Sequence, residues 1–226
     1  MGGQPTEFIV AQLLVLFLGI GLHEYAHCKF ADMAGDPTPG IQGRVTLNLF
    51  RHFEPVGTIL ILVSTWAGFG IGWGRPAPMD PRKMKNPRLD FFVAVAAGPV
   101  SNVMQAVVYA FLCRILLPMD ALLSVDILTR FLGYFLLYGV LTNLALALFN
   151  LIPFGPLDGH WLLGLLMPDK PRYYWYRFNR QVGMFGLIAV VLILQSTHVN
   201  LIGRPLLYLF QLFTGHDFYD YPVPNS

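Results

Sequence analysis

Apolar residues run almost unbroken from position 8 to position 22, and polar ones gather immediately after. Nothing from 8 to 34 breaks a helix, and "GDPTPG" stops one at Gly35, so the pattern predicts a single helix that is lipid-grade over its first half and polar beyond Leu22. Further apolar segments lie at 55–73, 91–117, 127–150 and 184–194, extended a few residues each way, with a shorter one at 201–213. The segments at 8–34, 91–117 and 127–150 reach the roughly 20 residues that a bilayer crossing needs. Two interludes break the helical pattern. "GRVTLNLF" (43–50) alternates Val45, Leu47 and Leu49 with polar neighbours and reads as an edge strand or hairpin arm. "GWGRPAPMDPRKMKNP" (72–87) has prolines that forbid a helix and a basic cluster that forbids burial in lipid, so it reads as a surface loop.

The expected fold is therefore an all-α polytopic membrane bundle with a small β element near its polar end. With every stretch between spans short and no internal repeat, it is one integral-membrane domain over 1–226, with a core at 8–168 and C-terminal helices at 176–214. Composition agrees: 55% hydrophobic and 12% charged residues leave too little polar surface to coat a soluble globule. A net charge of +2 gives no case for nucleic acid as a partner; the partner is the lipid bilayer. Residues 8–22 are expected to be retained, because "MGGQPTE" lacks a basic residue and no small-x-small cleavage site follows. Gly2 and Thr6 fit an acylation pattern, but a chain that spans the membrane gains little from one acyl group. Cys28 and Cys113 are lone thiols that define no redox framework.

The polar cluster that ends the first segment is "HEYAH". On a helix His23 and His27 share one face a turn apart, the spacing with which two imidazoles grip one metal ion, and Glu24 stands beside them within reach of a metal-bound water. Ionisable groups at membrane depth are expensive enough to be functional by default. A catalytic zinc takes three protein ligands, so one more is required. Besides Glu24, Asp158 is the acidic residue enclosed by apolar sequence on both sides, in "FNLIPFGPLDGHWLLGLLM", where Pro153 and Pro156 with Gly155 and Gly159 must unwind the helix. Broken backbone at that depth belongs where it lines a cavity. Asp158 is the expected third ligand; capping a short helix that starts near His160 is the compatible alternative.

The blocks "HEYAH", "GDPTPGIQGRVTLNLFRHFEPVGT", "GWGRPAPMDPRKMKNPR", "AAGPVSN" and "LFNLIPFGPLDG", spread over residues 18–160, together resemble the site-2 protease family of intramembrane zinc metalloproteases, in its small bacterial branch without a PDZ or CBS domain. The resemblance implies one zinc ion held by His23, His27 and Asp158, Glu24 as catalytic base, and Asn102, matching the family's G-x-x-x-N, as the residue that holds the substrate or its reacting carbonyl. Asn150, Pro153, Asp158 and Gly159 match its N-x-x-P and D-G elements. It also implies hydrolysis of a peptide bond within or beside a transmembrane segment of a membrane-protein substrate, such as an anti-sigma factor, a membrane-bound transcription factor or a signal-peptide remnant. His160 departs from the pattern where a small residue is commoner, and Glu54 where aspartate is. His160 is read as starting a short interfacial helix, with a role at the metal as the alternative; His52 is read as a loop histidine with a local hydrogen bond, and His198 and His216 lie outside the matched blocks.

Shared ligation constrains topology. If 55–73 crossed fully, Asp158 and His27 would approach opposite faces, so that segment is expected to dip in and return. The flanking stretches 28–90 and 152–183 then carry Lys29, Arg44, Arg51, Arg75, Arg82, Lys83, Lys85, Arg88, Lys170, Arg172, Arg177 and Arg180, 12 of the 15 basic residues, which marks the cytoplasmic side and leaves the N-terminus outside. The metal is expected roughly 10 Å inside the helix end, from the rise per residue between His27 and Ala34. The strand at 43–50 is expected to offer an edge to an extended substrate. Two other classes compete. A metal transporter predicts ligands on several helices forming a path; a silent membrane scaffold predicts a lost catalytic position, and none is lost.

Overall fold

The computed structural model describes residues 5–66, 74–118, 120–196 and 203–221 of the 226-residue chain. Among them the α-helices are α1 (Thr6–Met33), α2 (Thr38–Ile41), α3 (Pro55–Trp66), α4 (Pro87–Leu116), α5 (Ile127–Asn150), α6 (Asp158–Leu166), α7 (Asp169–Ser196) and α8 (Gly203–Thr214). Of these, α1, α4 and α5 are long and apolar enough to cross a membrane.

Each long helix has a local reason for its ends. Pro87 occupies the first position of α4, where a missing N–H costs nothing, and the Asp90 carboxylate accepts a hydrogen bond from the Asn86 N–H (2.7 Å). The Asp126 carboxylate caps α5 by accepting from the Thr129 N–H. α1 stops where Gly35 turns into the left-handed region (φ 102°) and the Asp36 N–H donates back to Ala31 O. α5 ends at Asn150, and the Pro- and Gly-rich stretch 151–157 is irregular, as its composition requires.

The three long helices pack on one another, α4 antiparallel to α1 and α5. An ion pair between Glu7 and Arg130 (2.7 Å) joins the starts of α1 and α5 at one end of the bundle. At that end Phe8, Tyr109, Leu122, Tyr134, Leu137, Val140 and Phe210 form a dry core, closed by α8 and by a hydrogen bond from Arg114 Nε to Thr214 O. Outward from α4, Val93, Val100, Met104, Val107 and Phe111 make an exposed apolar stripe at helical spacing, the face that lipid tails cover. Near the other end the polar residues of α1 and α4 turn inward.

Three expectations need correction. Residues 43–50 form no strand: the stretch is irregular and runs into a 3-10 turn at Leu49–His52, and no strand occurs among the described residues. The alternation was real but had no partner strand, and side chains answer its backbone instead. His52 Nε2 donates to Thr46 O (3.0 Å), and the Asn48 N–H donates to Thr46 Oγ1 (3.1 Å). The dip-and-return of 55–73 is not supported either: 55–66 is one helix of 12 residues, about 18 Å long by helical rise, and 67–73 lie outside the described residues. Finally, the C-terminal helical region begins at Asp169, not 176, because the run "DKPRYYWYRFNR" is helical despite its polarity. α8, with 12 residues, is too short to cross, and His198 lies outside the described residues.

Candidate metal centre

His23 and His27 sit on the buried face of α1, with rings at 89° to one another and centroids 4.6 Å apart. Their Nε2 atoms stand 3.0 Å apart. Asp158, the first residue of α6, brings its Oδ2 to 3.2 Å from His23 Nε2 and 3.4 Å from His27 Nε2. Among the described residues these three form the one group of His, Cys, Asp or Glu whose donor atoms converge closely enough to hold a metal ion. Tetrahedral zinc with bonds of about 2.0–2.2 Å separates its donor atoms by about 3.3–3.5 Å, so the triangle has the size the ion requires. The donor chemistry fits as well. Asp158 Oδ2 is buried and accepts no hydrogen bond, a costly state for a carboxylate oxygen unless a cation takes it up. Capping is not its role, since the N-cap of α6 is Leu157 and no side chain caps that helix.

The ring orientations are fixed from behind. His27 Nδ1–H donates to the backbone carbonyl of Ala94 (2.8 Å), and His23 Nδ1–H to Asn102 Oδ1 (2.7 Å), which leaves both Nε2 lone pairs toward Asp158. Gly98 makes this possible, because a Cβ there would collide with the His27 ring and stand 2.7 Å from His23 Cε1. The imidazoles lie against the bare backbone of α4.

Glu24 is half-buried on the neighbouring face of α1, and its buried Oε2 has no hydrogen-bond partner. It lies within electrostatic reach of both histidines, Asp158 and Arg44. Next to it begins the irregular segment 74–80: a Cβ on Gly74 would come within 3.1 Å of Glu24 Cγ. That segment is fastened by Arg44, which is 1% exposed and donates to Arg75 O (2.6 Å), Pro76 O (3.4 Å) and His52 Nδ1 (3.4 Å), while the Arg75 N–H donates to His52 O (2.7 Å). Burial, with the guanidinium beside it, holds His52 below the usual histidine range. Sequence reasoning gave Arg44 no role beyond its charge; its signal was an arginine leading the alternation of Val45, Leu47 and Leu49.

Asn102 is fully buried, with both ends of its amide engaged inside the bundle: Oδ1 accepts from His23, and Nδ2 donates to Gly19 O (3.0 Å) and Asn143 Oδ1 (2.9 Å). His160 stands outside the donor group, hydrogen-bonded to Leu157 O and packed on Trp161 at a centroid distance of 4.5 Å. Glu54 accepts from the Gly57 N–H at the start of α3 (2.7 Å). Asn150 donates to Leu146 O within α5 (2.9 Å).

Fold and site thus define a polytopic helical protein with a three-donor metal centre set inside its bundle. No protein-family model matches the chain, and no solved structure matches it significantly. Two curated proteins do, both bearing provisional names as zinc metalloproteases. YwhC of Bacillus subtilis is 38% identical over 171 residues, 74% of each chain. Rip2 of Mycolicibacterium smegmatis is 28% identical over 217 residues, 94% of this chain and 78% of its own. The chain belongs to the site-2 protease family of zinc metalloproteases.

Proposed function

We propose that this protein is an intramembrane zinc metalloendopeptidase that hydrolyses a peptide bond within or next to a transmembrane segment of a membrane-protein substrate. The observation that carries this is the convergence of His23 Nε2, His27 Nε2 and Asp158 Oδ2 in a triangle of 3.0, 3.2 and 3.4 Å, with an unpaired glutamate oxygen beside it. His23, His27 and Asp158 would hold one zinc ion, which supplies Lewis acidity toward the scissile carbonyl and makes a bound water acidic. Glu24 takes the proton of the attacking water on its free Oε2 and returns it to the leaving amine. Gly74 packs beside Glu24, and the Arg44 guanidinium lies within electrostatic reach of its carboxylate. A transporter reading is weaker, because a path needs ligands in series and the described residues hold one cluster.

The basic residues near the metal-bearing end support a cytoplasmic site and an external N-terminus.

The test separates ligand from base. Glu24→Gln should keep about one zinc per chain and lower cleavage of a model transmembrane substrate by on the order of a hundredfold or more, whereas His23→Ala, His27→Ala and Asp158→Ala should lose both metal and cleavage. Equal zinc loss in all four variants would overturn the assignment of Glu24.

A further inference from the structure

The hydrogen bonds behind His23 form a directed chain through three spanning helices, and its direction is forced. Gly139 O can only accept, so it must receive Asn143 Nδ2–H (2.9 Å). Asn143 therefore presents Oδ1 to its other neighbour, Asn102, and Asn102 must answer with Nδ2–H (2.9 Å). The Gly19 carbonyl, also an acceptor only, takes the second hydrogen of the same amide (3.0 Å). With its nitrogen committed twice, Asn102 has only Oδ1 left for His23 Nδ1, 2.7 Å away. That ring nitrogen must carry the hydrogen, and in the neutral ring Nε2 is then the bare one. Both asparagines are 0% exposed, so no water competes for these positions.

Resting on the zinc reading above, we propose that Asn143 and Asn102 form a positioning relay that locks His23 into its Nδ1–H tautomer and aims Nε2 at the metal before the ion arrives. Asn102 is then a positioning residue, not a contact to the scissile carbonyl: its oxygen and both amide hydrogens are used inside the protein. Asn143 is its orienting partner, one helix further from the metal. A lone amide between His23 and Gly19 could be turned by rotation of its terminal bond; with Asn143 behind it, the inverted orientation would set oxygen against oxygen twice. His27 needs no such device, because its Nδ1–H meets a backbone carbonyl that cannot invert.

The experiment uses full-length protein in detergent micelles and two readouts besides proteolysis. The first is zinc affinity, by competition with a chromogenic chelator. Asn102→Leu should bind about 10–100-fold more weakly than the parent and Asn143→Leu on the order of tenfold. The second is the tautomer of His23 in metal-free parent, by 15N chemical shifts, with His23→Gln to assign the signal. The relay requires Nδ1–H as the dominant form, and this measurement holds even if a leucine variant fails to fold. A dominant Nε2–H form overturns the proposal. So does an Asn102→Leu protein that binds zinc like the parent but no longer cleaves, since the asparagine would then act on substrate. If Asn102→Leu loses affinity and Asn143→Leu does not, the Asn143 step is overturned. A parent that binds no zinc defeats the metalloprotease reading itself, separately from the relay.

Discussion

At the scale of single residues, the site is held by what lies behind the ligands. The convergence of His23, His27 and Asp158 was legible in the sequence because helical spacing puts two imidazoles on one face, and because a carboxylate inside an apolar, helix-breaking run has few other uses. Asn102 was legible as a position by resemblance; the positioning role proposed for it was not, because the sequence cannot say which way an amide points. Asn143 was visible only as one polar residue in an apolar helix; its partner on another helix was not. Gly98 is the sharpest test of this crowding. Gly98→Ala should fold, since alanine suits a helix, but its methyl group must displace the imidazoles, at about 1–3 kcal/mol for overpacking. Zinc content after purification should fall well below that of the parent. Parental zinc content would mean that the rings have room the structure does not give them.

Among elements, the misreading of 43–50 is instructive. Alternation at Val45, Leu47 and Leu49 satisfies the pattern for a half-buried strand, but a strand also needs a second backbone to pair with, and pattern does not reveal a missing partner. What organises this stretch is Arg44, turned inward to gather the carbonyls of Arg75 and Pro76. Replacing it with methionine keeps much of the volume and removes those charge-assisted bonds, which contribute about 1.5–3 kcal/mol each. Arg44→Met should leave zinc binding intact, lower cleavage, and make 74–80 more sensitive to limited proteolysis. Arg44→Lys should not restore it, because an ammonium cannot span two carbonyls and His52 as a planar fork does. Unchanged proteolysis of 74–80 in both variants would remove this fastening role.

For the whole molecule, the order of crossings follows from contacts at both ends. Glu7 with Arg130 marks one end, and Lys85 N–H with Ala34 O (3.0 Å) ties the exit of α1 to the approach of α4 at the other. Spans α1, α4 and α5 were legible from hydropathy, while the beginning of α7 was not, since its polar first half packs through Trp175 and Tyr176 on α6 and not through an apolar stripe. Sidedness can be measured directly. Cys28 and Cys113 are buried, so an impermeant thiol reagent should report on introduced cysteines alone. Lys83→Cys should react only from the cytoplasmic side and Asp120→Cys only from outside; reaction of both from one face would defeat the proposed topology.

The ligand triangle joins parts of very different firmness. Two donors ride on one continuous helix, while the third stands at the junction of an irregular stretch and a nine-residue helix. The far end of that helix is moored independently, by Arg88 donating to Leu165 O and Met167 O. Its near end is held by Asp158, by the Asn179 side chain that receives the Gly155 N–H (2.9 Å), and by Trp175 Nε1–H donating to His160 O (2.8 Å). The ion would therefore act as a clasp, linking the carboxyl-terminal third of the chain to the first helix. Chelation should speed amide hydrogen exchange at 151–160 severalfold while α1 and the dry core around Leu137 stay protected, because metal bound only by the folded form stabilises what it joins. Metal starvation would then show itself in the cell as a nick between α5 and α6, with the first three spans left whole.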